Sequence, residues 1–357
     1  MKKPGSLLVI ALLTVLFISI SADAAVYSVS SYGAAGDYVT IAQALSASSD
    51  GDTILVGPGA YNESLSVSRE VTILGAGFDQ TSTQSFTFYQ NATGAVLEGF
   101  HCETGGNAIN LKAAADSITI RRCRLVSTYM AWDILARESG TPGMHVTVED
   151  CIFINTTSSA DAMTLYMDSC KVNNCIFAHV NPTSSSGKAI TGYVHDLSVM
   201  NCTFISYYSL FGINGNYSML FLNNIVYDWT TTPNWGTYPL GAVFDYNASS
   251  GALPPGTNGL LLTSNPFVDF DESGIYIRDV SDLHLAPGSD CIDAGHPGLL
   301  DLDDSRSDLG CYGWTYPLVD TGAPAYPFTI QLEIDPSVIP VGDQLNVETT
   351  GRIGPRY

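Results

Sequence analysis

The chain has 357 residues with 14 Lys+Arg against 35 Asp+Glu, a formal net charge of -21, and 45% hydrophobic residues. That apolar share supports a sizeable core and excludes a disordered chain, while the charge excludes nucleic acid as a partner, because phosphate binding needs clustered Lys and Arg. Charged residues are only 14%, a composition that leans on Ser, Thr, Asn, Gly and Tyr and suits strands and turns.

Lys2 and Lys3 precede an apolar stretch over residues 7–20, and Ala22-Asp23-Ala24 follows as an A-x-A cleavage pattern. This reads as a secretory signal peptide over residues 1–24. At 1.5 Å per residue the stretch spans about 21 Å, short of the ~30 Å hydrocarbon core, so a transmembrane anchor is disfavoured. No later segment is apolar enough for a span. The expected location is extracellular or at the cell surface.

Residues 40–47 (Thr-Ile-Ala-Gln-Ala-Leu-Ser-Ala) place Ile41, Ala44 and Leu45 on one helical face. They predict a short helical cap. Asp50-Gly51-Asp52 is a turn before a strand over 53–56, and Pro58-Gly59 turns again.

A repeat then runs through the chain. Val96–Cys102, Thr119–Leu125, Thr147–Phe153, Lys171–Phe177, Ser198–Phe204 and Phe221–Tyr227 align without gaps, and Thr72–Ala76 is an earlier copy. The apolar face slips by one residue within each copy, which requires a bend. The bend residues are Gly75, Gly99, Arg122, Asp150, Asn174, Asn201 and Asn224. All but Arg122 are of types that tolerate a left-handed backbone. A further short strand follows each bend: residues 108–111, 133–135, 163–166, 190–193 and 210–213. Three short strands per repeat cannot bury their apolar side alone, but stacked repeats can. The fold expected is all-β: a right-handed, single-stranded parallel β-helix of about eight to nine coils, ~4.8 Å apart, with the helical cap at its N-terminal end. A β-sandwich also has many short strands, but it does not require a recurring bend residue.

Seven stretches carry a resemblance: residues 41–45, 51–56 and 57–63 at the start, then 265–269, 284–289, 292–295 and 308–310 with Tyr312 at the end. They resemble the opening and last coils of secreted bacterial right-handed β-helix proteins of the pectate-lyase-like superfamily. The resemblance covers residues 27–315 and implies a β-helix over 25–316. Residues 317–327 read as a linker. Residues 328–357 look like the first strands of a β-sandwich-like module, too short to complete it, or a disordered tail.

Cys123, Cys151, Cys175 and Cys202 share one repeat position and should stack inward as small buried hydrophobes, although export also permits oxidation. Cys291 and Cys311 fall in the two halves of the terminal motif, where the superfamily more often has other small residues. Their joint presence implies a disulfide closing the C-terminal end.

Pectate lyases of this superfamily use Asp-held calcium and a basic Arg or Lys. Its polygalacturonase-like hydrolases need paired carboxylates, with Gly-His-Gly and Arg-x-Lys signatures. Neither signature occurs here. Arg121 of the Arg121-Arg122-Arg124 cluster should point outward, with Arg122 at the bend. Gly59-Ala60-Tyr61-Asn62-Glu63 is similar to the early G-x-Y-x-E segment of pectin methylesterases, whose later Asp-containing signatures are missing. Asp301, Asp303, Asp304 and Asp308 could ligate calcium, the one cofactor considered. The favoured alternative is a salt-bridge and turn network around Arg306. Trp132, Tyr207, Tyr208, Trp229 and Trp235 are candidate sugar-stacking rings, set against packing at the coil corners. Asn-x-Ser/Thr sites occur at Asn62, Asn91, Asn155, Asn201, Asn216 and Asn247.

The function read from the sequence is that of a secreted or surface monomer engaging an extracellular polysaccharide or cell-surface glycan. Alternatives are a polysaccharide lyase or glycoside hydrolase acting on a pectin-like polymer, and a structural or adhesive stalk.

Overall fold

The computed structural model describes residues 24–31, 36–112, 114–127, 135–137, 145–156, 161–180, 187–207, 209–214, 218–227, 234–270, 276–277, 280–323, 327–335 and 346–353. It is a parallel β-solenoid, as the recurring bends imply. Each coil contributes one strand before the bend, one after it, and a third that closes the coil.

Strands before the bend pair in parallel from Thr53–Val56 through Thr72–Leu74, Val96–Glu98, Ile118–Arg121 and His145–Glu149 to Met163–Asn173. We call these the leading sheet. Strands after the bend form a ten-stranded trailing sheet. The closing strands include Ser64–Val67, Ser85–Phe88, Ile109–Leu111 and Ser209–Ile213. In two coils the corner between the closing and leading sheets disappears. Met163–Asn173 and Lys188–Met200 run through as single strands paired over ten positions, which fuses the two sheets.

The repeat register is as expected for every copy but the last. Thr119 pairs with Val96 and Thr147, and Leu125 with Cys102 and Phe153. In the final copy Leu220–Leu222 pair with Ser198–Met200, and Ile225 with Thr203. The left-handed bend is therefore Asn223 (φ 59°), not Asn224. Asn224 takes the inward position of Cys202, where its Oδ1 accepts the Cys202 N–H at 2.8 Å and its Nδ2 donates to Val199 O at 3.0 Å. A polar inward residue broke the apolar pattern, and a gapless alignment absorbed that by slipping one position.

The other bends hold. Gly99, Arg122, Asp150, Asn174 and Asn201 all have positive φ, whereas Gly75 does not appear among the left-handed glycines. Arg122 at φ 51° is held by an ion pair to Glu98 and a longer contact to the Asp150 carboxyl. Its Nη1 lies 2.9 Å from Glu98 Oε1 and its Nε 3.7 Å from Asp150 Oδ2, while Arg121 reaches Glu98 from the surface at 2.7 Å.

Inside the solenoid, Phe153, Phe177 and Phe204 stack at 4.7 and 4.8 Å with planes within 6°. That separation is the inter-strand spacing itself. Cys123, Cys151, Cys175 and Cys202 are buried inward as expected. Each thiol donates to the carbonyl two residues earlier, at 3.1–3.3 Å.

The helix Ile41–Ala47 closes the first coil with Ile41, Ala44 and Leu45 buried. Its N-cap is Thr40, whose hydroxyl accepts the Gln43 N–H. The Glu63 carboxylate accepts the Ile41 and Ala42 N–H groups at 2.9 and 3.0 Å, where a negative charge also complements the helix end.

The terminal motif differs from the coils its resemblance implied. The last paired strand of the trailing sheet is Leu260–Leu262. The described residues of 263–323 then run back along the outside of that sheet as a cover, which includes a short antiparallel pair, Phe267–Asp269 with Asp282–Leu285. The direction is read from the bends. Asn223 Oδ1 accepts the His296 N–H, Asn201 Nδ2 donates to Asp308 O, and Asn174 Nδ2 donates to Cys311 O and Gly313 O. Gly322 then lies beside Phe78 and the Arg122 carbonyl.

The physical cause is in the trailing strands. Val126, Ile152, Ile154, Ile176, Ile205 and Ile225 face outward and form a second core with Phe267, Tyr276, Leu283, Leu309 and Leu318 of the cover. A sheet apolar on both faces needs a layer on each.

Candidate functional site

Most of the residues singled out in the sequence serve the scaffold. Tyr61 of the G-x-Y-x-E segment donates to Gly57 O at 3.0 Å, and Glu63 caps the helix. That segment is a coil-closing device here.

Cys291 and Cys311 are both buried in the second core, and all eight cysteines are free thiols. The disulfide implied by the resemblance is not formed. Burial pushes both thiols up to about 12. Cys311 packs against the trailing sheet, its N–H donating to Thr203 Oγ1 at 3.1 Å, so each half of the motif is held by the sheet without a covalent tie.

The late carboxylates act as turn acceptors. Asp301 accepts the Asp308 N–H at 2.9 Å and the Trp314 N–H, Asp303 accepts from Ser305, and Asp308 accepts the Asp293 N–H at 2.7 Å. Burial raises the Asp301 and Asp308 carboxyls above the usual range, against those backbone hydrogen bonds. Among the described residues no group of three or more His, Cys, Asp or Glu side chains is arranged to hold a metal ion. Arg306 does not pair with these acids. It donates to Gly295 O and Ala294 O and lies over the Tyr246 ring at 5.2 Å. The turn network is present, and the salt bridge is not.

Among the aromatic candidates, Tyr207 is buried, edge-on to His179 at 5.4 Å. Trp235 is half-buried, with its ring edge-on to Phe221 and Phe244. Both pack coil corners. Trp132, Tyr208 and Trp229 lie outside the described residues. Of the glycosylation sequons, Asn155, Asn201 and Asn247 are buried, Asn62 and Asn91 are exposed, and Asn216 lies outside the described residues.

A pair of outward-facing rings lies elsewhere. Tyr166 and Tyr193 face outward from the fused strands Met163–Asn173 and Lys188–Met200, in register on adjacent coils. Their rings stack at 5.6 Å and 27°, and Tyr193 is 48% exposed. Thr164 and Thr191 flank them on one side. On the other, His195 Nδ1 lies 2.8 Å from Asp168 Oδ1. Lys188 sends its stem across Gly212 of the next coil. A Cβ at Gly212 would lie 2.8 Å from Lys188 Cδ and 2.7 Å from Thr191 Oγ1. The glycine therefore makes room for the lysine, and among the described residues its ammonium makes no ion pair. The face offers two ring surfaces, hydroxyls and one cation.

The sequence held a signal for this pair. Met163-Thr164-Leu165-Tyr166 and Ile190-Thr191-Gly192-Tyr193 are repeat-equivalent strands whose alternation puts the Thr and Tyr residues outward.

A second feature is a cleft of about 350 Å³ between the trailing sheet and the cover. Its floor includes Phe78, Ile152 and Ile176, and its rim Asp79, Arg124, Asp282, His284 and Asp320. Arg124 is buried and pairs with Asp79 at 2.8 Å. His284 stacks on Tyr312 at 3.8 Å, with Asp282 at 2.7 Å from Nδ1 and Asp320 at 3.8 Å from Nε2. Partial burial pushes the Asp282 carboxyl up, but hydrogen bonds from the His284 N–H and ring win and hold it below its ordinary value.

Fold and faces together define a covered parallel β-helix with an aromatic outer face. No protein-family model matches the chain, and no curated protein matches its sequence. Solved structures that resemble it include a pectin methylesterase from carrot, 14% identical over 67% of this chain and 77% of that one, at a TM-score of 0.42. The pectate lyase Pel9A is 13% identical over 81% and 96%, at 0.38. The pectin methylesterase PemA from Erwinia chrysanthemi is 13% identical over 71% and 84%, at 0.37.

Proposed function

We propose that this protein is exported and engages extracellular polysaccharide on the outer face of the fused sheets, with Tyr166 and Tyr193 as the stacking platform. The observation that carries the reading is the outward-facing, in-register tyrosine pair, with Tyr193 exposed and Tyr166 half-buried. Sugar rings present an apolar face of C–H groups that packs on aromatic rings, and their hydroxyls match Thr164 and Thr191. Lys188, which makes no ion pair among the described residues, adds one site for a sugar carboxylate. Its contribution separates acidic from neutral polymers.

The test is retention of the purified chain on insoluble or immobilised polysaccharides, with Tyr193→Ala as the variant. Loss of about fivefold to 150-fold in affinity is expected, since base-type ring stacking on one aromatic is worth ~1–3 kcal/mol in the nucleic-acid case and sugar stacking is of similar kind. Unchanged retention in Tyr193→Ala would remove the face from the account. Lys188→Gln is expected to weaken only carboxylated polymers.

A second reading rests on the cleft, where His284 between Asp282 and Asp320 places an acid–base group beside Arg124. It predicts new reducing or unsaturated ends when polysaccharide is incubated with the protein, lost in His284→Ala. If the wild-type chain releases no such ends from any polymer, this reading fails and the binding reading stands.

A further inference from the structure

The first described strand is fixed at its very start. Val26–Val29 pairs in parallel with Thr53–Val56, with Val26 opposite Thr53, and this sets Ala25 beside Asp52. Two hydrogen bonds hold that step. The Thr53 N–H donates to Ala25 O at 2.8 Å, and the Ala25 N–H donates to Asp52 Oδ1 at 2.7 Å. Ala25 is half-buried, and Ala24 before it is exposed.

Asp52 is only 4% exposed, and its second oxygen accepts the Ser49 N–H at 2.6 Å. Among the described residues, both oxygens accept backbone N–H groups and no side-chain cation pairs with the carboxylate. A buried carboxylate is costly unless a cation or several donors compensate it. The other titratable groups of this end are committed elsewhere. Asp50 accepts the Glu70 N–H, Asp37 accepts from Ser28, Tyr27 donates to Ala47 O, and Arg69 donates to Leu45 O at 2.6 Å. Glu63 caps the helix, and the Glu70 carboxylate lies against Gly94 of a later coil.

Ala25 is also the first residue left by a cut after Ala22-Asp23-Ala24. A leader-cleaving peptidase adds water across the Ala24–Ala25 peptide bond. The C–N bond breaks, Ala24 leaves as a carboxylate, and the Ala25 nitrogen takes the proton. The amide N–H thereby becomes an α-ammonium, cationic below its ordinary pKa of about 7.7–8.0. With the strand unmoved, that charge stands where the N–H stands now, against Asp52 Oδ1.

We propose that Asp52 is the receiving site for the α-ammonium created by export processing, so that removal of the leader locks the first coil. This rests on the reading that the chain is exported and cut after Ala24. The uncut chain has a hydrogen bond from a neutral amide. The cut chain has a charge-assisted one, the stronger kind, on a carboxylate that otherwise lacks a cation. A chain that keeps its leader therefore folds less stably than one released from it. Asp52 favours the cationic amine, so the folded pKa lies above the unfolded one. The added stability is complete below about pH 7.7, the unfolded value, and is lost as pH rises through the raised folded pKa.

The experiment begins with N-terminal sequencing of the full chain after export, which is expected to start at Ala25. Any other first residue overturns the cut and the proposal together. The chain starting at Ala25 is then compared with its α-acetylated form by urea unfolding across pH 6–11, a window that brackets the ordinary amine pKa. The acetyl amide keeps one N–H, as the uncut peptide does, and removes the charge. At pH 6 the free-amine chain is expected to have an unfolding constant about tenfold lower for each unit by which Asp52 raises the amine pKa. The two forms should converge once pH passes the folded pKa, and the uncut full chain should follow the acetylated one. Asp52→Asn should erase the difference at pH 6. Should that variant fail to fold, titration of the Ala25 amine by NMR in the otherwise unchanged chain decides, with a pKa about one unit or more above that in the urea-unfolded chain expected. Equal stability of the free and acetylated chains at pH 6 overturns the proposal while leaving the cut in place. So does a difference that survives Asp52→Asn, or an amine pKa that is the same folded and unfolded.

Discussion

Asn201 is where the cover is tied to the solenoid, and its replacement separates two effects that the bends combine. Its side chain is fully buried, its φ is 48°, and its Nδ2 reaches Asp308 O at 3.0 Å, Ser307 Oγ at 3.3 Å and Gly310 O at 3.4 Å. Asn201→Ala leaves the Asp308 and Gly310 carbonyls without this donor, about 1 kcal/mol or more each. It also puts an ordinary side chain in the left-handed region, about 1 kcal/mol more. The expected loss is about 3–4 kcal/mol. Asn201→Gly tolerates the backbone but not the lost donor, so its loss should be about 2–3 kcal/mol. Equilibrium urea unfolding measures both. Limited proteolysis should cut residues 263–323 faster in both variants, because the latch is gone while the coils remain. The reasoning is refuted if Asn201→Gly is as stable as wild type, since the hydrogen bonds to the cover would then carry nothing. It is equally refuted if Asn201→Ala costs under about 0.5 kcal/mol.

Three further outcomes are expected. Burial raises the Asp150 carboxyl to about 8, against the nearby Arg122 guanidinium; the folded state therefore holds a proton that the unfolded chain releases near its ordinary 3.8. Stability from this group is complete below about pH 4, falls by up to ~1.4 kcal/mol per unit as pH rises toward about 8, and is flat above, so Asp150→Asn should flatten that part of a stability–pH curve. A thiol reagent should label none of the eight buried cysteines in the native protein and all eight after denaturation without reductant; six would mean that Cys291 and Cys311 are joined after all. Phe177→Ala, in the middle of the ring stack, should cost about 3–5 kcal/mol in denaturant unfolding, and a loss below about 1 kcal/mol would mean the stack adds little beyond its neighbours.

The coils were legible because their cause is local and repeated. A residue that tolerates positive φ must recur wherever the chain turns the same corner, and Asn174 and Asn201 announce that corner without any knowledge of what lies around it. The final copy shows the limit of such reading. Asn223 and Asn224 are chemically identical, and only the pairing of Ile225 with Thr203 decides which one bends and which one points inward. The cover was not legible. Ile152 and Ile154, with Phe153 between them, already stated that both faces of the trailing sheet are apolar, but alternation cannot say what lies on the far side. That partner is about 130 residues further along the chain.

The same asymmetry explains the site. Residues with strong chemical associations, such as the late aspartates, the terminal cysteines and the G-x-Y-x-E segment, are spent on turns, packing and a helix cap, because a fold without many charged residues has few other groups for those tasks. The tyrosine face is made of residue types that are common in this chain, and only their register gives them meaning. Two rings 27 residues apart become a surface because Met163–Tyr166 and Ile190–Tyr193 occupy one step of the stack. In a solenoid, a ligand-binding face is therefore better sought by writing the coils beneath one another and reading down the outward columns than by searching along the chain for motifs. Here the column of Tyr166 and Tyr193, with Lys188 fitted over Gly212, combines outward-facing rings with a cation that makes no ion pair among the described residues.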